Sequence, residues 1–330
     1  MHKLFLFLLL FLSSLKSNEN YQLGEGLQVG DSPVYIGGYF SLDYTNQDEL
    51  NRYRVDDIAL MIYSNYNKFS FMSELEYKEL YIKSYQDTTS TISHNEKIHI
   101  ERLYFDYQFN ENYKLRAGKY NSPIGFWNLL PINVLRATSS NPKSSDILFP
   151  KFTTGLDTSY SSYTNGELKL NLTLQQNEDF DADYNNFKID KHFGLGISYS
   201  LDSYTLKFNS GFFHRIDTLH SQDELYYFLA SLKYESESYE FLTEIGTQKS
   251  KNNTTVNHAG YIQGLYRFTP KHIGIIRLES YKETMNNSNE NFAVLGYTYR
   301  PLYPIALKAE YQVHSHEQFN QALFSFSVLF

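Results

Sequence analysis

Six cationic side chains crowd into forty residues. Lys114, Arg116, Lys119, Arg136, Lys143 and Lys151 lie between Tyr113 and Phe152, and Asp146 is the one acid among them. This local excess of +5 sits in a chain whose formal charge is −8. Clustered Arg and Lys attract anions, most strongly where low-dielectric walls focus the field in a narrow channel. Acids elsewhere offer a counterweight: Glu74, Glu76, Asp106, Glu240, Glu244, and Glu279 beside Arg277. If both sets line one space, the field is transverse, with a positive and a negative wall. An anion filter and a transverse field both remain open at this point.

Other constellations are weaker. Asp179, Asp181 and Asp183 alternate as in a calcium loop, with Asp190 at the twelfth position. Tyr184 stands where such a loop needs glycine, and Asp190 replaces the usual Glu. A solvated acidic loop fits better. His314 and His316 share one face, but a metal site needs further ligands that the spacing does not supply. His214, His314 and His316 could act as bases, yet no nucleophile pairs with them. The chain has no cysteine, which removes disulfides and thiolate chemistry. No glycine-rich phosphate loop or zinc-protease motif occurs. No cofactor is expected, and the acidic balance argues against nucleic acid as a partner.

These side chains need a scaffold, and the periodicity names it. In 167–177, Leu168, Leu170, Leu172 and Leu174 alternate with Lys169, Asn171, Thr173 and Gln175. In 305–316, Ile305, Leu307, Ala309, Tyr311 and Val313 oppose Lys308, Glu310, Gln312, His314 and His316. A period of two with one greasy and one polar face is a strand wetted on one side. Sixteen such strands are expected, at about 34–46, 51–65, 68–82, 98–110, 113–122, 153–164, 167–177, 191–202, 204–217, 224–236, 239–250, 258–269, 272–284, 291–301, 305–316 and 319–330. Short turns alternate with longer polar stretches at 83–97, 123–152, 178–190, 218–223, 251–257 and 285–290. The 30 Tyr and 25 Phe suit strands and interfacial girdles. The expected fold is an all-β transmembrane antiparallel barrel, residues 34–330, of about sixteen strands.

The two ends fit the same compartment. Leu4 to Leu12 is an apolar run behind His2 and Lys3, followed by Ser13, Ser14 and Ser17. This reads as a signal peptide over 1–17, leaving 18–33 as a periplasmic N-terminal segment. The run is too short to span a bilayer, which takes about 20 apolar residues. Removing Lys3 and Lys16 leaves 27 cations against 37 acids, a net −10. At the other end, Ala322, Phe324, Phe326, Val328 and Phe330 recur at every second position, with Gln321, Ser325 and Ser327 among the intervening residues. This terminal aromatic strand resembles the assembly signal of bacterial outer-membrane barrels.

Segment 123–152 is too apolar for a free surface loop. Phe126, Trp127, Leu129, Leu130, Ile132, Val134, Leu135, Ile147, Leu148 and Phe149 need shelter. Its expected place is inside the barrel, folded against the wall after strand 5. The stretch from Leu115 to Asn128, with Gly118-Lys119-Tyr120 and Pro123-Ile124-Gly125, followed by Phe149 to Asp157, is similar to the phosphate-selective porin O/P group. That resemblance implies a sixteen-stranded, trimeric porin whose loop after strand 5 narrows the pore. It implies small hydrophilic solutes or ions and outer-membrane lipid as partners. Expected pore residues are Lys114, Arg116, Arg136, Lys143, Asp146, Lys151, Asp106, Glu74, Arg277 and Glu279. Passive, weakly charge-selective diffusion is the leading function, with an anion preference as one reading of the charge. A barrel enzyme and a surface-binding barrel are the alternatives.

Overall fold

The computed structural model describes residues 21–86, 89–216, 223–251, 253–284 and 287–330. The expected signal peptide lies outside these residues, as does most of the connection expected at 218–223.

Sixteen long antiparallel strands form one closed sheet. They are β1 (Val34–Gln47), β2 (Leu50–Tyr66), β3 (Phe69–Gln86), β4 (Ile98–Gln108), β5 (Tyr113–Asn121), β6 (Phe152–Ser162), β7 (Glu167–Gln175) and β8 (Ile189–Leu201). Then come β9 (Tyr204–Arg215), β10 (Asp223–Glu235), β11 (Tyr239–Ser250), β12 (Thr254–Thr269), β13 (His272–Glu283), β14 (Ser288–Tyr299), β15 (Ile305–His314) and β16 (Gln321–Leu329). Each pairs with its sequence neighbour, and β16 closes on β1 from Gln321↔Gln47 to Leu329↔Tyr39. Phe330 and Gly38 then exchange both backbone hydrogen bonds, each 2.8 Å. Closure leaves no free edge for another chain to pair with.

Burial is inside-out relative to a water-soluble barrel. Ile245, Ile276 and Leu195 are 58%, 57% and 52% exposed, while Glu244, Arg277 and Thr298 are 1%, 0% and 0% exposed. The greasy row points outward and the polar row inward, along the faces that alternation assigns. A soluble sandwich with its apolar face inward is thereby excluded.

The ends are organised as the alternating connections require. Residues Tyr21–Gln22 and Gly26–Gln28 form a small hairpin whose second arm pairs with Tyr35 and Ile36 of β1. The Tyr63 hydroxyl donates to the Glu25 carbonyl, so this hairpin lies at the end of the short turns. At the opposite end, β3 outruns its expected limit of 82. It continues to Gln86 and turns back as Thr89–Ser93, pairing Ile82 with Ser93. Residues 83–93 are polar but rich in Thr and Ser, and polarity alone made them look like loop. Residues 83–86 remain paired with Leu50–Tyr53 of β2 as well as with Thr89–Ile92, so the wall extends here without a continuous greasy face.

Candidate functional site

Segment 122–151 leaves β5 through the two expected glycines. Gly125 takes φ +64° and its backbone N–H reaches the Asn209 Oδ1 at 3.0 Å. A Cβ at Gly125 would stand 2.6 Å from the Glu244 carboxylate and the φ is one that side chains rarely adopt, so a substitution here is strained. Gly118 takes φ +127°. Alternation breaks there, and Lys119 and Tyr120 are both buried in succession. Lys119 is fully buried, 2.8 Å from Asp179 and bonded to the Asp181 carbonyl at 2.9 Å.

The segment is tied to the inward polar row of β9 to β16. Lys207 donates to the Gly125 carbonyl at 2.7 Å, and Glu244 accepts the N–H groups of Phe126 and Trp127. Gln248 donates to the carbonyls of Ile147 and Leu148 at 3.0 and 2.9 Å. Arg277 donates to Thr138 Oγ1 at 3.0 Å, to the Ser140 carbonyl at 3.1 Å and to Ser140 Oγ at 2.8 Å. Lys308 donates to Asn133, and Glu310 accepts from Ser139 and Ser140. A chain without regular structure must satisfy its backbone groups somewhere when buried, and here charged wall side chains do it.

Apolar contacts complete the docking. Ile124, Ile147, Leu148 and Phe149 join a buried cluster with Leu225, Tyr227 and Leu229 of β10. That strand is apolar on both faces, because its inner face is covered by the segment and not by water. Ile132 and Val134 pack with Tyr39, Ala59 and Met61 of β1 and β2.

Beside the segment lies a polar cavity of about 570 Å³. One side is the inner wall of β1 to β4, with Asp43, Arg54, Asp56, Asp57, Glu76, Lys78, Glu79 and Glu101. The other side is the segment itself, with Trp127, Arg136 and Lys151. Asp183 and Tyr184, from the connection between β7 and β8, reach in from a third side. Seven acids and four bases line the space: 4 − 7 gives a formal −3.

Within the wall, Arg54 is bound by Asp43 at 3.0 Å, Glu79 at 3.2 Å and Asp56 at 3.5 Å. Tyr39 donates to Glu101 at 3.0 Å, and the Tyr184 hydroxyl reaches Glu76 and Glu101. Glu74 is fully buried and paired with Arg102, just behind this surface. Among the described residues no carboxylate stands within 4.0 Å of Lys78, whose ammonium lies 5.1 Å over the Tyr184 ring. Across the gap, Arg136 lies 5.4 Å over the ring of Trp127, the one tryptophan of the chain. Burial holds its guanidinium below the ordinary range, opposed by Glu101 and Asp57. Burial also lifts the Tyr184 hydroxyl well above its usual value, and Glu101 adds to this.

The expected pore residues therefore divide. Arg136 and Lys151 face the cavity, and Lys151 is held by Asp146 at 2.6 Å. Arg277 and Glu279 do not line open space. They lie behind the segment, 2.6 Å apart, and Glu279 accepts the Lys143 N–H at 2.8 Å. The Lys143 ammonium sits 5.6 Å over Tyr281. Arg116 is bidentate on Asp106 at 2.7 and 2.8 Å with Lys114 at 3.4 Å, a cluster on β4 and β5 away from the cavity. Six cations close in sequence thus deliver two to the cavity.

The acidic 179–190 stretch is not a solvated loop. Asp179 holds Lys119, Asp181 holds His99 at 2.9 Å, and Asp183 holds Lys97 and Lys188 at 2.5 and 2.6 Å. Those two lysines keep the Asp183 carboxyl below the usual carboxylate range. The four aspartates diverge onto separate cations instead of converging, and Asp190 pairs with His214 at 2.6 Å. His314 pairs with Glu290 at 2.9 Å and stacks on Phe292. Among the described residues, no nucleophile bonds to His214 or His314.

Missed by sequence reasoning were Asp43, Asp56, Asp57, Glu101 and Lys78. The signal for two of them was present as adjacent acids in a strand. A register shift between Val55 and Asp57 breaks the alternation there.

The architecture defines a class: a closed sixteen-stranded antiparallel barrel with a long segment after β5 bonded to its inner polar row. This is the porin fold. The chain is similar to OmpF of Salmonella typhi, solved in complex with daunomycin, at 9% identity and TM-score 0.61, covering 90% of this chain and 97% of that one. It is similar to the outer-membrane channel DcaP of Acinetobacter baumannii at 11% identity and TM-score 0.60, covering 93% and 100%. OprB of Pseudomonas putida, at low pH, aligns at 9% identity and TM-score 0.58, covering 91% and 93%. No protein-family profile matches the sequence, and no curated protein does. At these identities the likeness is one of fold.

Proposed function

We propose that the protein is a porin in the outer membrane of a Gram-negative bacterium. It lets small hydrophilic solutes and ions diffuse through its lumen, exported by the 1–17 signal and with 18–33 left on the periplasmic side. The observation that carries this reading is the inside-out burial together with the charged cavity between Arg136 and the β1–β4 wall. Segment 122–151 is bonded mainly to β9 to β16 and packs at Ile132 and Val134 on β1 and β2, and in this reading the cavity beside it is the passage. A homotrimer fits the fold, and a trimer form is described for OmpT of Vibrio cholerae, another structural neighbour.

Selectivity follows from the lining. Because Lys114, Arg116 and Lys119 are held by acids elsewhere, the passage carries a formal −3 and not a positive excess. We therefore infer a weak preference for cations, reversing the expectation from the local charge count, and no preference for phosphate. Purified protein in a planar bilayer under a KCl gradient tests this. Conductance steps with a reversal potential on the potassium side are expected. Reversal on the chloride side refutes the charge assignment, and absence of steps from folded protein refutes the pore.

A further inference from the structure

We infer a second activity on the outside of the barrel: hydrolysis of the acyl esters of membrane lipids, with Ser280 as nucleophile and His258 as its base. It rests on the barrel lying in the membrane as proposed above, and not on the pore.

The outward rows of β12 and β13 turn polar toward the long connections. There Ser280 Oγ of β13 lies 3.0 Å from His258 Nε2 of β12. Ser280 follows the exposed Ile276 and Leu278 at the period of two. The register shift between Val256 and His258 leaves Val256 buried inside and puts His258 on the outward row with Gly260 and Ile262. With the imidazole proton on Nδ1, Nε2 accepts from the hydroxyl, the arrangement that activates a serine. The pair opens onto a groove of about 570 Å³. Gly260 stands opposite Ile245 on one side and Ser280 on the other. Having no side chain, it leaves a trough walled by the exposed Ile245, Ile262 and Leu278. The trough leads from the apolar band to the polar boundary. An acyl chain laid in it brings its ester to the Ser280 hydroxyl.

Two neighbours complete the site. Asn291 of β14 stands directly opposite Ser280 and lines the same groove. Residues so paired have Cβ atoms about 5 Å apart. Among the described residues the Asn291 carboxamide has no partner, so its N–H is free to donate to the oxygen of a tetrahedral intermediate. Lys282 is paired with His258 in register and is exposed. Among the described residues no carboxylate stands within 4.0 Å of it, and it suits the phosphate of a glycerophospholipid. In the reaction, Ser280 Oγ attacks the ester carbonyl carbon and its proton passes to His258 Nε2. The bond from that carbon to the alcohol oxygen breaks, and the leaving oxygen takes the proton. Water then attacks acyl-Ser280, giving one proton to His258, which returns it to the Ser280 oxygen. The products are a fatty acid and a lysolipid.

The full mature chain in mixed micelles of detergent and dioleoylphosphatidylethanolamine tests this through release of oleate. Oleate and lysophosphatidylethanolamine are expected in equal amounts. A fluorophosphonate should block release and mark Ser280 in the peptide mass spectrum. Ser280→Ala and His258→Ala should each slow release at least about a hundredfold, and the double variant no further than either. Asn291→Ala should lower kcat about a hundredfold with little change in KM. Each variant should keep the parent's potassium chloride conductance in a planar bilayer, which verifies folding and separates this activity from the pore. No oleate release from conducting protein overturns the inference and leaves the pore standing. Release that Ser280→Ala does not slow overturns the assignment to this pair. Folded protein that releases oleate but does not conduct overturns the porin reading and leaves this inference standing.

Discussion

Arg277→Ala should release the segment that narrows the lumen while leaving the barrel intact. Arg277 is 0% exposed and makes three hydrogen bonds to Thr138 and Ser140. Its Nε also lies 2.6 Å from Glu279, a charge–charge contact whose N–H is not aimed at the acceptor. Truncation deletes the three bonds and leaves Glu279 with the Lys143 N–H alone. Breaking a buried charge pair from one side costs about 3–5 kcal/mol. No ladder hydrogen bond is touched, so the loss falls on local opening of 136–143. At about 1.4 kcal/mol per decade, the open population rises on the order of 10²- to 10³-fold. Arg136 and Lys143 are trypsin sites inside that stretch, and cleavage tracks the open population when reclosing is fast. Tryptic cleavage there should accelerate by about that factor, with acrylamide quenching of Trp127 rising in parallel. Arg116→Ala removes an equally paired arginine that does not touch the segment, and should leave both readouts unchanged. Cleavage of Arg277→Ala at the wild-type rate would refute the anchoring argument.

Other predictions follow from the same geometry. Ile245→Lys places a charge on the outward row and should cost about 2–4 kcal/mol in urea refolding into bilayers if it lies near the midplane; the cost disappears if that row does not face lipid. Gly118→Ala puts a Cβ 2.1 Å from the Leu103 carbonyl at φ +127°, and should lower the yield of heat-modifiable barrel sharply. Deleting Phe330 removes both hydrogen bonds to Gly38, a loss of about 1–3 kcal/mol at closure, visible as faster unfolding in urea. Asp183 has its carboxyl pKa depressed by Lys188 and Lys97. Its contribution is therefore fully present above the ordinary carboxylate pKa and is lost only as pH falls through the lowered value. Protease resistance of 179–188 should hold from neutral pH down past pH 4 as far as Asp183 sets it, and should weaken in high salt because that pair is exposed.

The wall was largely legible in the sequence because alternation is a local signal. Leu168 to Gln175 and Ile305 to His314 report their own faces, and the turns at 202–203 and 270–271 interrupt them cleanly. What sequence reasoning lost were the places where alternation fails. Gly118 turns Lys119 inward, the shift at Val55/Asp57 brings two acids to the lumen, and 83–86 extends β3 along β2 without a continuous greasy side. Charge was the second loss. Counting cations between Tyr113 and Phe152 says nothing about partners: Asp106 comes from the neighbouring strand, Asp146 from the segment itself, and Asp179 from a connection that only the folded barrel brings to Lys119. The apolar face of Leu225, Tyr227 and Leu229 was a readable hint, since a second greasy face on a strand marks where something docks.

The account turns on Arg136 standing in the conducting path opposite an acidic wall. The chain has no cysteine, so Arg136→Cys and Ile245→Cys each introduce one thiol. Single channels of each variant can be exposed to a bulky charged methanethiosulfonate reagent while the current is recorded. The account predicts a stepwise fall in conductance for Arg136→Cys and none for Ile245→Cys. An open Arg136→Cys channel whose current is untouched by a reagent shown by mass spectrometry to have reacted would contradict it.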